Sequence, residues 1–550
     1  MRSRREIPMK VMIAYLCHYA DRHDYFLSLL PVGAISLAAG LEAHGYDVHL
    51  ANFSREGARG ALRAIEEYRP DVLGVSLFSH NRIDTLRLLK EAKKRMPRIV
   101  TVAGGPHASA LADALIARSA GLDHVITGEA EDALLDLLKD IQAGKARPGS
   151  VIHGGRIGTL DALPPPGMYP GTMTGVDPNE QFKTIITSRG CPYRCAFCCS
   201  PGMWERAVQF RSAAHILREI EYLYRERGII FFSIRDDNFT LRKDRVMEFC
   251  KALCDSGMYI MWNCQSRVDT VDEEMLVRMK LAGCEQIQFG VESGSEHVLE
   301  RYGKGITVDQ VREAARIARR AGLYVFYYLM AGMEGEKLAD IRKTVGLIRQ
   351  TLPGDGIVSP VALYPGTEIY EQEKRAGRID DNAWFTRHEP GLYLRKDDDV
   401  AKWIGMLVTE LGMVREHSWY REKDFRLHRR VTGPGCWVTD ILEGDYYRDS
   451  ERFQEAEACY LRVAGRYTGN PWGFLRLGKI CFYLGKFEEA AEYYTRVTGI
   501  VPGYYGGWLK RAESLLALKK RDEARMCAQE AFSRNPHDFR VKNIVEILKK

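Results

Sequence analysis

Short apolar runs alternate with amphipathic stretches over two long parts of the chain. From residue 9 to 145, MKVMIAYL (9–16), DVHLANF (47–53), DVLGVSLFS (71–79), RIVTVAGG (98–105) and DHVITGEAE (123–131) read as strands. Stretches of helical period, such as PVGAISLAAGLEAHGY (31–46) and 83–96, separate them. Alternation at this spacing predicts a parallel sheet wrapped by helices. Ligands of such sheets sit at the carboxyl ends of the strands, which here carry Ser76, Ser79, Gly104, Gly105, Gly128 and Glu129. The segment 146–180 is rich in Gly and Pro, includes LPPPG (163–167), and reads as a linker. Alternation resumes over 181–375, with FKTIITS, GIIFFSIRD, YIMWNCQSR, EQIQFGVES, YVFYYLMAG and GIVSPVALYP as strands. Six such units predict an open or partial βα barrel, with functional residues following the strands. Residues 376–444, polar and aromatic without a clear period, are expected to connect or cover.

The last part, 445–550, repeats itself. RFQEAEACYLRV, KFEEAAEYYTRV and KRDEARMCAQEAF align Ala456, Ala490 and Ala524 at a spacing of 34. Phe474 and Trp508, Gly478 and Ala512, and Pro502 and Pro536 share that period. A period of 34 with small residues at the helix crossings is the signature of tetratricopeptide (TPR) repeats. An all-α array is expected, and its concave face is a surface on which a protein partner can dock.

Composition narrows the class of function. With 45% apolar and 28% charged residues over 550, the chain is an ordinary multidomain globular protein. A net charge of +6 with no basic tract argues against nucleic acid as a partner. No apolar run reaches the ~20 residues of a membrane span. The basic start MRSRRE leads directly into a strand without a small-residue cleavage site, so a cytoplasmic location is expected. Most of the thirteen cysteines, among them Cys17, Cys250, Cys254, Cys284 and Cys481, lie singly in apolar surroundings and read as core residues. Four crowd into 191–199.

That cluster, TSRGCPYRCAFCCS, sets Cys191, Cys195 and Cys198 in C-x3-C-x2-C spacing just after a strand. Three thiolates on a tight loop can hold three irons of a [4Fe–4S] cluster and leave the fourth iron open. Zinc is the competing reading, but structural zinc is normally closed by a fourth ligand. Cys199 cannot readily converge with its neighbour Cys198 and reads as a packed thiol. With Phe197 before the last cysteine, the motif resembles that of the radical S-adenosylmethionine (SAM) superfamily. The resemblance implies that the open iron binds SAM, and that an electron from the cluster cleaves it to a 5′-deoxyadenosyl radical. Later strand ends resemble the same family. Asp236 and Asp237 in SIRDDNF, QSRVD (265–269), Glu292 in FGVESGSE, Gly332 in LMAGMEGE and LYPGTEIY (363–370) match its stations. The resemblance gives Asp236, Asp237, Glu292 and Gly332 roles toward SAM. Glu334 departs from the more usual G-x-P-G-E.

Joined to such a barrel, the first block resembles the cobalamin-binding domain of B12-dependent radical SAM enzymes, a Rossmann-like, flavodoxin-like fold. The pattern P-x-G-x-x-x-L-A-A-x-L-E-x-x-G-Y-D-V (31–48), VAGGPH (102–107) and TGEAE (127–131) carry that resemblance. It implies cobalamin contacts from Ser76, Ser79, Gly104, Gly105, Gly128 and Glu129. Relatives that ligate cobalt through histidine use D-x-H-x-x-G. Here Asp21 and His23 are followed by Phe26 in place of Gly, so His23 is not expected to ligate, and no spacing singles out His80 or His107. The function implied is a B12-dependent methyltransferase acting on an unactivated carbon or on phosphorus, fed electrons by a flavodoxin or ferredoxin. A cyclase or rearrangement enzyme of the anaerobic porphyrin-ester type is the alternative. A TPR scaffold with a relic barrel is a third reading, disfavoured by the intact cysteines and ordered stations. Methylthiolation of transfer RNA is disfavoured because those relatives carry further cysteines and a basic tail.

Overall fold

A computed structural model describes residues 9–17 and 29–549. Its first sheet has seven strands, all parallel: β1 (Lys10–Tyr15), β2 (Asp47–Asn52), β3 (Val72–Ser76), β4 (Val100–Gly104), β5 (His124–Thr127), β6 (Ser150–His153) and β7 (Thr172–Thr174). The order is β6-β5-β4-β3-β1-β2-β7. Strands β1 and β3 are almost wholly buried, as strands covered by helices on both faces must be, and so they read as unbroken apolar runs. The order in which strands are added reverses at β1, with β2 on one side and β3 on the other, and such a switch point leaves a crevice at the strand ends.

The expected linker 146–180 is instead part of this sheet: β6 pairs with β5 and β7 with β2, closing both edges. Both strands are too short, and too closely flanked by Gly and Pro, to show a period.

The second sheet is the open barrel. Strands β8 (Thr184–Ile185), β11 (Phe231–Ile234), β12 (Met261–Ser266), β13 (Cys284–Glu292), β14 (Tyr324–Ala331) and β15 (Asp355–Pro360) are parallel and lie side by side in that order. A two-stranded ribbon, β9 (Ser188–Arg189) with β10 (Gln209–Phe210), follows β8. Along β14, Val325, Tyr327, Leu329 and Ala331 are buried while Tyr324, Phe326, Tyr328 and Met330 are only half-buried. The first set packs under the surrounding helices and the second faces the barrel interior.

Residues 376–444, expected to connect or cover and showing no clear period, carry helices at Asp398–Ser418 and Glu422–Thr432. Val400, Trp403, Leu407, Leu411 and Val414 bury one stripe of the longer helix, and Arg349 of the barrel grips its Glu410 at 2.7 Å. The stretch before it wraps the first sheet. Arg82, 1% exposed, donates to the carbonyls of Trp384 (2.9 Å) and Arg387 (2.8 Å) and lies 4.8 Å from the Trp384 ring.

Helical pairs fill the remainder, from Trp437–Asp449 to Phe539–Lys549. The first of them spans the boundary expected at 444. Ala456, Ala490 and Ala524 are fully buried at the crossings. The array seats beneath the barrel, against the residues that precede its strands. Trp472 donates to the Tyr259 carbonyl (3.0 Å), Trp437 lies against Gly283, and Gly503 and Tyr504 abut Gly228.

Candidate active site

The cysteine loop leaves the barrel through a clamp. Asp236, 1% exposed, accepts bonds from the Thr187 and Ser188 N–H groups (2.5 and 3.1 Å) and from both hydroxyls (2.5 and 2.7 Å). Arg245 lies 3.6 Å away behind it. Every lone pair is used on protein, so Asp236 does not face a ligand as expected. It positions the loop. Gly190 follows with φ +91°, where a Cβ would lie 2.1 Å from the Ala207 carbonyl oxygen. Only glycine permits that turn immediately before Cys191.

Beyond it the loop is held from both sides. The Ala196 N–H donates to the Tyr302 carbonyl (2.8 Å), and Phe197 packs edge-on against the Tyr302 ring at 5.3 Å. The Arg267 guanidinium covers the Tyr193 ring at 3.5 Å, and its Nη1 is 3.6 Å from the Cys195 Sγ. Cys191, Cys195, Cys198 and Cys199 are all half-buried, and all thirteen cysteines are free thiols. Burial raises the Cys191 thiol above its ordinary range and pushes Cys198 up to about 12 and Cys199 to about 11. A bound cation reverses that bias, because metal coordination deprotonates thiols. Among the described residues, no three His, Cys, Asp or Glu side chains converge closely enough to hold one metal ion. The donor set is three thiols on one loop with no fourth ligand, which fits a cluster with an open corner rather than a closed zinc site.

Asp237, next to the clamp, points the other way. It accepts from Ser200 Oγ at 2.6 Å, and its charge reaches Cys191 and Cys198. Glu292 ends β13 at a register shift with φ +66°, a conformation costing a non-glycine residue of order 1 kcal/mol. Its carboxylate meets Lys304 at 2.8 Å, both side chains nearly enclosed, and Lys304 lies 5.9 Å from the Phe197 ring. The end of the fourth barrel strand is thereby tied to the cysteine loop. Gly332, with φ +100°, uses its N–H on Glu336 (2.7 Å), so its part is to turn the chain under Val400. The Glu334 departure is a surface matter: the side chain pairs with Arg301 at 3.6 Å.

A cavity of about 490 Å³ opens between the carboxyl edge of the first sheet and the mouth of the barrel. Ser76, Gly104, Gly105, Gly128 and Glu129 line one wall; Arg189, Gly190 and Asp237 line the other. A Cβ at Gly105 (φ +104°) would come within 3.0 Å of the Leu77 carbonyl, so the bare backbone that this wall offers is required locally. Glu129 Oε2 accepts from the Ile157 N–H (3.0 Å) while Oε1 is buried without a partner. A flat, amide-rimmed macrocycle fits a small-residue wall with one unused acceptor.

Ser79 does not line this cavity. It is buried and bonded to His107 Nδ1 (2.9 Å), and burial pushes His107 down to about 3. His80 lies against Tyr15 Oη (3.0 Å) and burial pushes it to about 4. Both are neutral at pH 7. His23 falls outside the described residues.

Sequence reasoning missed Arg189. From the barrel side it reaches Glu131 (2.5 Å) and Ser36 (3.1 Å) on the first domain, joining the two walls. An arginine after a strand carries no signal of its partner. It also missed Arg235, which borders the cavity from β11.

The radical SAM superfamily model matches residues 185–348, the B12 binding domain model residues 25–138, and a tetratricopeptide repeat model residues 473–503. The hopanoid C-3 methylase of Methylococcus capsulatus is 28% identical over 423 residues, covering 72% of this chain and 79% of that protein. The anaerobic magnesium-protoporphyrin IX monomethyl ester cyclase of Rubrivivax gelatinosus is 23% identical over 391 residues, covering 66% and 70%. Among solved structures, the radical SAM methyltransferase TsrM from Kitasatospora setae shares the fold, with a TM-score of 0.58 at 17% identity over 78% of this chain and 95% of that one. The cofactors that go with these domains are a [4Fe–4S] cluster, SAM and cobalamin. The chain thus carries a radical SAM match over its barrel, a B12-binding match before it and a tetratricopeptide match after it, the domain set of B12-dependent radical SAM enzymes.

Proposed function

We propose that the protein is a cobalamin-dependent radical SAM methyltransferase acting on an unactivated carbon or phosphorus centre. The observation that carries this reading is the single cavity bounded by both the glycine-lined sheet edge and the cysteine-loop end of the barrel. When bound, the cluster and SAM supply radical chemistry and cobalamin a transferable methyl group. Cys191, Cys195 and Cys198 hold the cluster. Asp237 and Glu292 face SAM, and Ser76, Gly104, Gly105, Gly128 and Glu129 cradle the corrin. Asp236 and Arg267 hold the cysteine loop, and Arg189 keeps the two walls in register. The partition follows: 9–180 for cobalamin, 181–375 for the radical core, 376–436 as a brace across both, and 437–550 as the repeat array.

The cyclase relative supports a second reading, a cyclisation or rearrangement on the same cofactors. Anaerobic reconstitution with iron, sulfide and cobalamin, followed by mass spectrometry of SAM products, separates the two. Methyl transfer yields both 5′-deoxyadenosine and S-adenosylhomocysteine; the absence of S-adenosylhomocysteine with substrate turnover overturns the methyltransferase reading. A flavodoxin or ferredoxin is the fitting electron donor. No described helix is long and apolar enough to cross a membrane, and thirteen free thiols suit a reducing cytoplasm.

A further inference from the structure

The interior of this barrel is not a packed core. Filled barrels line their interior with branched apolar side chains, whereas here the inward positions beside Phe326 and Met330 include Ser233, Asn263, Gln265, Gln288 and Tyr328. Arg235 leaves the end of β11 on that same face and borders the cavity. Its Nη1 donates to Gln288 Oε1 and to Tyr328 Oη, both at 3.1 Å. Tyr328 Oη also accepts from Gln265 Nε2 (2.9 Å) and donates to Gln288 Oε1 (2.8 Å). The hydroxyl is fully used, so the whole arrangement has one orientation.

All these partners are neutral. Two other arginines that line the cavity are neutralised, Arg211 by Glu219 at 2.6 Å and Arg189 by Glu131 at 2.5 Å. Among the described residues no carboxylate lies within 4 Å of Arg235, and its Nε and Nη2 have no acceptor. A rigid guanidinium whose remaining fork is free lacks one thing, a bidentate oxyanion.

We propose that Arg235 is a substrate-binding residue and that the acceptor substrate carries a carboxylate or phosphate-type oxyanion, placed by this fork between the two cofactor sites. The inference rests on the methyltransferase reading for what happens to that substrate, but not for its binding.

The test uses the full chain loaded with cluster and cobalamin, with SAM bound, and equilibrium dialysis against inorganic phosphate and against acetate. The expected result is saturable one-site binding of at least one of the two anions. Arg235→Gln weakens it about tenfold or more, and Arg235→Lys, which keeps the charge but not the fork, falls between. SAM affinity stays unchanged in both variants. Absence of saturable binding to the wild-type chain, or binding indifferent to Arg235→Gln, overturns the proposal. So does a parallel loss of SAM affinity, which assigns the fork to the SAM carboxylate. Should Arg235→Gln fail to load cofactors, Arg235→Lys decides alone. A failure of the methyltransferase reading shows separately, as missing S-adenosylhomocysteine with anion binding intact.

Discussion

Successive side chains leave a strand on opposite faces, and at the end of β11 that parity separates two adjacent carboxylates. Ser233, Arg235 and Asp237 look into the barrel, while Asp236 turns back and grips Thr187 and Ser188. Asp236→Ala removes four hydrogen bonds to a buried carboxylate and the negative charge that faces Arg245. A loss of about 3–5 kcal/mol is expected, read as a lower denaturation midpoint together with failure to assemble the cluster. Asp237→Ala is expected to change stability by about 1 kcal/mol or less and to act instead on SAM affinity. Equal effects of the two substitutions in both assays refute this division. Cys191→Ala, Cys195→Ala and Cys198→Ala are each expected to abolish the cluster's absorbance and 5′-deoxyadenosine formation, and Cys199→Ala to leave both largely intact. A dispensable member of the first three refutes the ligand assignment. The residue types at the site were legible in the sequence. Which of two neighbours faces the cavity was recoverable from strand parity, whereas the turn of Ser79 toward His107 depends on a contact 28 residues away that no local pattern announces. His107 has a consequence of its own. Its folded pKa, about 3, lies below the ordinary value of 6.5, so the unfolded chain binds more protons between those values. Stability is therefore full above pH 6.5 and falls as pH drops toward 3, and His107→Gln is expected to flatten that decline in thermal melts followed by circular dichroism.

Among the elements, those with long periodic patterns were legible and those shaped by neighbours were not. The buried runs of β1 and β3 and of the barrel strands β11, β12, β13 and β14 stand out because tertiary burial and local pattern agree. Strands β6 and β7 span only Ser150–His153 and Thr172–Thr174 and exist because an open sheet edge is available to pair with. The helix Asp398–Ser418 could have been found, since Val400, Trp403, Leu407, Leu411 and Val414 recur at three and four. Its stripe is interrupted by exposed Met406, Val408 and Met413, which blur the contrast. The repeats hold a finer correspondence. A Cβ at Gly444 would meet the Tyr460 ring at 2.3 Å and one at Gly478 the Tyr494 ring at 2.8 Å. One period later both partners change: Ala512 stands where the glycine was and Ala528 where the tyrosine was, both buried in one cluster. The ring and the methyl exclude each other at this crossing. Gly478→Ala is accordingly expected to cost about 1–3 kcal/mol by overpacking. Adding Tyr494→Ala is expected to cost less than the two single changes predict together, as coupled contacts do. Strict additivity in urea denaturation refutes the pairing.

The molecule as a whole has two ends. The cavity, the cysteine loop and the strained Glu292 lie at the carboxyl ends of the barrel strands. The repeat array meets the residues that open those strands: Gly228 before β11, Tyr259 before β12 and Gly283 before β13. In βα barrels the first end carries chemistry and the second carries stability. Ending the chain at Gly444 would cut in half the helix Trp437–Asp449, whose Trp437 lies against Gly283, so the informative truncation falls after Ser450, where that helix remains whole on the barrel. The shortened protein loses the Trp472 bond to Tyr259 and the packing of Gly503 on Gly228, and exposes the face of Gly444 that Tyr460 covered. It is expected to be less stable and less soluble, yet still to load the cluster and cobalamin and to form 5′-deoxyadenosine from SAM at an unchanged rate per loaded cluster. Turnover falls only if a protein carries or is the substrate, because the array then lacks its docking role. Fully loaded truncated protein that cannot cleave SAM would place the repeats within the active site and contradict the separation of the two ends.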